Sequence, residues 1–318
     1  MPEPVVDLPA LRAYLVAHAV DGVDEVEVGP DGCSRHRRLV ATPGGALALE
    51  VTLPAEEVGS PVVAAAPVAG ASGDSGPGPE DVATALAAGR RWLGLDADPA
   101  PAVAALADDP VLGPLVRARP HLRVPGTTGP FEAAVNVVLG QHVSLAAGRV
   151  FAGRLVATHG SGRPGGRPDD PHGTRLVRYP DPEALAVLDP EALRAAVGVT
   201  GPRAHTLVSL ARAVAEGGLD LDPTEDADRR ARTRDALLAL PGVGPWTADL
   251  VALRCLRDPD VFLPGDLVLR RAMGGVSARE AGERARAWTP HRSLAVLHLW
   301  THHALDPPHL HPPRRRPA

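Results

Sequence analysis

Leu237-Leu238-Ala239-Leu240-Pro241-Gly242-Val243-Gly244-Pro245-Trp246-Thr247-Ala248 is the stretch on which the fold turns. An apolar helix end runs into a four-residue turn holding two glycines, and a new helix follows whose first position tolerates Pro245. The glycines let a phosphate come close to the backbone. The amides at the new helix start are unpaired donors that point outward, and Thr247 adds a hydroxyl. An ordinary helical corner is the plain alternative, but Leu-Pro-Gly-Val-Gly followed by Thr-Ala is much narrower than Gly-x-Gly alone, so the reading is phosphate binding. A dinucleotide fold is disfavoured, because no strand precedes the glycines and no third glycine sits at the fingerprint spacing. Gly242, Gly244 and Thr247 are therefore candidate DNA-backbone contacts, of a kind that holds a duplex without reading its sequence.

Twenty-two residues beyond Gly244 stands Asp266, in Val261-Phe262-Leu263-Pro264-Gly265-Asp266-Leu267-Val268-Leu269-Arg270-Arg271. An Asp after Pro-Gly commonly caps the helix that follows. That role is compatible with catalysis, since the amides and dipole of a helix start keep a carboxylate ionised. Beside a flipped nucleotide, such a carboxylate can stabilise positive charge on deoxyribose and orient an attacking water.

Outward from these motifs, residues 8–20 are apolar at helical spacing, and the short runs Val23–Val28, Leu39–Thr42 and Ala46–Leu53 read as a small antiparallel sheet. Residues 56–80 are rich in Gly, Pro, Ala and Ser and read as a flexible loop. From residue 81 the pattern is persistently helical, with segments predicted at 81–94, 98–106, 110–118, 129–137, 143–158, 181–186, 190–196, 202–216, 231–240, 245–256, 266–273, 277–288 and 291–304. A breaker-rich insertion covers 161–173 and a Pro/Arg-rich tail, expected to be disordered, covers 305–318. The expected fold class is α+β: an N-terminal α/β domain over 1–120, then a mainly helical core over 121–304 in two subdomains flanking a cleft.

Composition narrows the chemistry. The chain has 318 residues, room for two or three cores at roughly 100 to 200 residues per domain. Only Cys33 and Cys255 occur, too few for a disulfide scaffold or a four-cysteine cluster, which points to a reducing compartment. The start, MPEPVVDLPALRAYL, lacks the basic patch and apolar run of a secretory signal, and no apolar stretch reaches the roughly 18 residues of a membrane span. A cytoplasmic protein with no membrane association is expected. Net charge is −5, yet residues 231–318 hold 13 Arg against 8 Asp plus Glu, a balance of +5, so the C-terminal end is the candidate anion-binding end. The sequence contains no lysine: all 33 basic residues are Arg, and any mechanism needing a side-chain Lys is excluded.

With these motifs in place, the segments Phe131 through Gln141, Leu240 through Ala248, Val261 through Asp266 and Trp288 through Trp300 resemble the helix–hairpin–helix glycosylases, and among them the bacterial 3-methyladenine DNA glycosylase II (AlkA-type) family. Arg91-Trp92-Leu93-Gly94-Leu95-Asp96 and Leu122-Arg123-Val124-Pro125-Gly126 extend the resemblance toward the N-terminus. It implies that the N-terminal α/β domain is similar to one half of a TATA-binding protein and that Asp266 is the essential catalytic carboxylate. The same comparison assigns Trp246 and Trp300, with Leu250 beside them, to an aromatic base pocket; the plain alternative for the tryptophans is core packing. Gln141 and His142 resemble the segment that enters the minor groove, where relatives carry an apolar wedge in place of His142. Bifunctional relatives have lysine at the position of Trp246, so hydrolysis without strand cleavage is expected.

The implied activity is removal of alkylated purines from double-stranded DNA containing alkylated or deaminated bases, by a monomer without cofactor. His298, His302, His303, His309 and His311 lack a matched Glu motif, so no metal site is expected. Two other classes stay open on the residues alone: a non-catalytic binder of damaged DNA, and a nucleotide-dependent enzyme, which would lack its phosphate loop and acidic metal set. No cysteine cluster precedes Leu8, so alkyl transfer is not expected.

Overall fold

The computed structural model describes residues 3–67, 77–161 and 176–305. Parts of three expected segments lie outside these: 68–76 of the loop, 162–173 of the insertion and 306–318 of the tail, with His309 and His311.

The N-terminal part opens with β1 (Val6–Asp7) and α1 (Leu8–His18), followed by β2 (Asp24–Val28), β3 (Ser34–Thr42), β4 (Gly45–Leu53), β5 (Val58–Gly59) and β6 (Val62–Pro67). Asp7 caps α1, its Oδ1 accepting the Ala10 amide at 2.9 Å. Four strands form an antiparallel sheet in the order β2-β3-β4-β6, and β1 pairs with β5. One face of β3 sets Arg35 opposite Glu27 and Arg37 opposite Glu25, pairs that remain in solvent, while Ser34, His36 and Arg38 turn inward. The loop expected over 56–80 is corrected here. Residues 62–67 pair with β4 as an edge strand, which the Val-Val-Ala-Ala-Ala-Pro composition concealed because small residues show no alternation.

Helix α2 (Pro79–Trp92) covers the sheet. It approaches closely at Gly89, where a Cβ would lie 2.7 Å from Val63 and 2.9 Å from Leu49, so the absent side chain offsets the helix-propensity cost of about 1 kcal/mol. The helices then run α3 (Ala100–Leu106), α4 (Leu112–Ala118), α5 (Pro130–Leu139), α6 (Leu145–His159), α7 (Pro182–Ala186), α8 (Pro190–Val197), α9 (Gly201–Ala215), α10 (Ala227–Leu238), α11 (Pro245–Val251), α12 (Leu267–Ala272), α13 (Ala278–Ala285) and α14 (Arg292–Leu305). Many begin at caps visible in sequence: Asp189, Asp226, Asp266 and Ser277 each accept an amide of the first turn. The segment predicted as one helix over 245–256 changes character after Val251, continuing as a π-helical turn over Ala252–Leu256 and ending at Arg257 with φ 57°.

Three apolar cores result. The first joins the sheet to α1 and α2, around Leu47, Leu49, Leu53 and Leu93. A second unites α5–α11, around Leu139, Leu155, Leu193 and Leu207. The third gathers the π-helical turn, α12, α13 and α14 with Leu106, Leu112 and Val116, so α3 and α4 pack with the C-terminal helices although they precede residue 120 in the chain. Trp246 and Leu250 pack against both helical cores, which places α11 at the seam between them. No helix among the described residues is long and apolar enough to cross a membrane.

Candidate active site

A cavity of about 560 Å³ opens at that seam, and the residues lining it come from distant parts of the chain. Trp246 and Leu250 of α11, Asp266, Val268 of α12 and Trp300 of α14 all line it. Both tryptophans are half-buried, unlike Trp288, which is 2% exposed and is a true core residue donating its indole N–H to Asp109 at 2.7 Å.

Asp266 is rigidly presented. The segment before it is clamped by Arg292, whose Nε and Nη2 grip both oxygens of Asp260 at 2.7 and 2.8 Å, and by Ser293 Oγ, which accepts the Val261 amide at 3.0 Å. Phe262 packs edge-on against Trp288. Asp266 then caps α12, its Oδ1 accepting the Leu269 amide at 2.9 Å, with Trp300 Nε1 at 3.4 Å from the same oxygen. Helix capping and a place in the cavity wall thus coexist in one carboxylate.

The hairpin projects beside the cavity. Gly242 adopts φ +81°, and a Cβ there would sit 2.1 Å from Thr206 Oγ1, so only glycine fits. Gly244 is exposed, caps α11 and has open space where its Cβ would project. Thr206 Oγ1 donates to the Pro241 carbonyl at 2.9 Å from beneath.

Two of the candidate DNA contacts sit differently from expectation. Gln141 Nε2 donates to the Gly242 carbonyl at 3.0 Å and to Thr247 Oγ1 at 2.9 Å, while its own carbonyl accepts from Arg203. Thr247 is 4% exposed. The hydroxyl expected to face phosphate is therefore turned inward, and Gln141 and Thr247 lock the α5–α6 turn to the hairpin. His142, by contrast, stands exposed on that turn in the left-handed region, φ 54°.

Several cavity residues escaped the sequence reading, Tyr14, His18 and Arg254 among them. Tyr14 and His18 reach in from α1, their rings 4.1 Å apart, and Arg254 enters from the π-helical turn. Desolvation beside the cavity and the Arg254 charge both lower the affinity of the His18 imidazole for a proton. No spacing rule links residue 14 to residue 254, so no local signal was available. Deeper in the wall, Arg38 meets Glu132 and lies 3.6 Å from Asp24. Burial opposes charge on Arg38, but the two carboxylates outweigh it and raise its affinity for the proton. Among the described residues no group of His, Cys, Asp or Glu is arranged to hold a metal.

Comparison with known proteins places this arrangement. Residues 3–129 match the family model of the AlkA N-terminal domain. A relative from Mycobacterium tuberculosis (strain ATCC 25618 / H37Rv), named probable bifunctional transcriptional activator/DNA repair enzyme AlkA, is 43% identical over 226 residues, which is 70% of this chain and 43% of that protein. DNA-3-methyladenine glycosylase 2 of Escherichia coli (strain K12) is 38% identical over 189 residues, 59% of this chain and 63% of that one. The chain thus spans less than two thirds of the length of these curated relatives. Among solved structures, the 3-methyladenine DNA-glycosylase from Archaeoglobus fulgidus shares the fold with a TM-score of 0.72, covering 96% of this chain and 98% of that one at 20% identity. The fold is of the helix–hairpin–helix glycosylase class. Residues 3–129 of the chain carry the AlkA N-terminal domain, and the chain is similar to DNA-3-methyladenine glycosylase 2 over 189 residues.

Proposed function

We propose that the protein is a monofunctional DNA glycosylase of base-excision repair, hydrolysing the N-glycosidic bond of alkylated purines such as 3-methyladenine and 7-methylguanine in double-stranded DNA. The observation that carries this reading is Asp266, fixed as a helix cap in the wall of an aromatic cavity beside an exposed hairpin. The amides around Gly242 and Gly244 hold the backbone phosphates, and His142 fills the gap left by the flipped nucleotide. The base stacks in the cavity against Trp246 and Trp300. As the bond to C1′ breaks, positive charge grows on the sugar, and the Asp266 carboxylate opposes it in a partly desolvated site while orienting the water that attacks. With no lysine in the chain, the product is an intact abasic strand. The protein acts as a monomer without a cofactor.

Release of free base from a methylated duplex, measured under single-turnover conditions with Asp266→Asn as the control, tests the proposal. A protein that retains methylated DNA but releases no base is a non-catalytic binder, and the proposal falls.

A further inference from the structure

Three segments far apart in the chain meet behind the hairpin. Arg203 and Thr206, three residues apart on α9, share one face of that helix. Thr206 Oγ1 donates to the Pro241 carbonyl at 2.9 Å, and Arg203 Nη2 donates to the Gln141 carbonyl in the turn between α5 and α6. Arg203 is 8% exposed and its guanidinium carbon lies 5.7 Å from the centre of the Phe151 ring, so a buried cation faces this turn and the helix that follows it. Gln141 closes the arrangement. Its Nε2 donates to the Gly242 carbonyl at 3.0 Å and to Thr247 Oγ1 at 2.9 Å, which uses both amide hydrogens. Chemistry sets the orientation of the amide, because a carbonyl only accepts and so selects the nitrogen.

The Gln141 carbonyl lies in the same peptide plane as the His142 nitrogen. Holding that carbonyl fixes one side of the bond about which His142 takes φ 54°, a left-handed conformation that a non-glycine residue keeps where its surroundings impose it. The turn is also part of the cavity wall, since Gly140, Val143 and Leu145 line it. On the other side the hairpin leads straight into Trp246 of α11. Phosphate grip and wedge thus sit on two loops, each continuous with a wall of the cavity, and the Gln141 amide bridges them. A wedge free to drift relative to the grip would enter the base stack at many depths. Productive capture of a flipped base needs the two fixed to within roughly 0.5 Å.

We propose that Gln141 is a positioning residue: its amide hydrogens serve the protein and not the DNA, and they couple the hairpin to the wedge turn, so that phosphate binding and entry of His142 into the stack become one event. This rests on the glycosylase reading and on His142 as the wedge. No proton or charge changes hands. Gln141 acts through the spacing that its two hydrogen bonds hold between the loops, and Arg203 fixes the same turn from beneath.

The test uses the full chain as wild type, Gln141→Ala, His142→Gly and the double variant; glycine at 142 keeps the left-handed backbone. Each is measured for affinity to undamaged duplex, for stopped-flow fluorescence of 2-aminopurine placed beside a 7-methylguanine, which rises as the neighbouring base unstacks, and for single-turnover release of that 7-methylguanine. Gln141→Ala is expected to bind undamaged duplex within about twofold of wild type while unstacking and release both slow by about tenfold. In the double variant the loss should fall well short of the product of the two single losses, because a link to an absent wedge has little left to position. Thr247→Val, which removes one acceptor of the amide, should show a smaller loss in the same two signals and stands in where Gln141→Ala fails to fold. Weaker binding to undamaged duplex by the factor lost in release would make Gln141 a DNA contact, multiplicative losses would make it independent of the wedge, and a lowered thermal midpoint with normal unstacking and release would make it a brace; each overturns the proposal. The fluorescence needs no bond cleavage, so a wild type that unstacks the base but releases none overturns the glycosylase reading alone, whereas one that leaves the fluorescence flat overturns this inference.

Discussion

Trp300 Nε1 and the Leu269 amide converge on one oxygen of Asp266, at 3.4 and 2.9 Å, and the other oxygen has no hydrogen-bond partner among the described residues. Capping and catalysis are therefore separable by substitution. Asn caps a helix about as well as Asp, so Asp266→Asn is expected to leave the thermal midpoint nearly unchanged while the single-turnover rate of base release falls by roughly 10² or more. Asp266→Ala loses the cap as well, at about 1 kcal/mol, and its midpoint drops measurably in calorimetry. An Asn variant with near-wild-type release would leave Asp266 as a cap alone.

The two hairpin glycines predict opposite phenotypes. Gly244→Val projects its side chain into open space on the exposed face, so the protein folds normally and binds damaged and undamaged duplex more weakly by similar factors. Gly242→Ala strains a φ of +81° and drives a methyl into Thr206 Oγ1, so loss of stability precedes loss of binding. Thermal melts paired with duplex titrations distinguish the two; normal DNA affinity in Gly244→Val would remove the hairpin from the interface.

Borohydride trapping tests the reaction type. A Schiff base requires an amine, and the chain terminus is the sole primary amine in this sequence of 33 Arg and no Lys. Incubation with lesion-bearing DNA and borohydride is expected to give no covalent adduct, and the abasic product is expected to remain unnicked until treated with alkali. Adduct at stoichiometric yield would contradict simple hydrolysis.

Acid should loosen the fold at His298. This imidazole is 1% exposed, neither ring nitrogen has a hydrogen-bond partner among the described residues, and burial lowers its pKa to about 4, with nearby Asp7 opposing and Arg119 reinforcing the shift. Between its ordinary 6.5 and about 4 the unfolded chain binds a proton that the native state refuses, so stability falls as pH drops through that window. The effect is worth up to about 3 kcal/mol, and His298→Leu should flatten the dependence of the thermal midpoint between pH 6.5 and 4.5. An unchanged slope would show that other groups govern acid sensitivity.

The helices were legible because their punctuation is physical: Asp189, Asp226, Asp266 and Ser277 stand where first-turn amides need acceptors. Where charge masked the pattern, the reading faltered. Residues 34–38 of β3 read as a polar run because their outward arginines find carboxylates on neighbouring strands, Glu25, Glu27 and Glu50. Helix α10 begins at Ala227, four residues before its predicted start, in an Asp-Arg-Arg turn with no apolar face to betray it. Asp266, Trp246, Leu250 and Trp300 were placed by resemblance, and the cavity gathers all four. Tyr14, His18 and Arg254 were invisible because only tertiary packing brings the first helix to the π-helical turn.

Arg38, held between Asp24 and Glu132, has a consequence for how the protein unfolds. The guanidinium belongs to the sheet and Glu132 to the first turn of α5, 94 residues away, and both are removed from water. Separating the sheet from the helices would break this ion pair together with the packing around it, contacts that neither part recovers alone. The sheet and the helical bundle should therefore melt in a single cooperative transition, and a fragment beginning near residue 121 should fail to hold the native fold by itself.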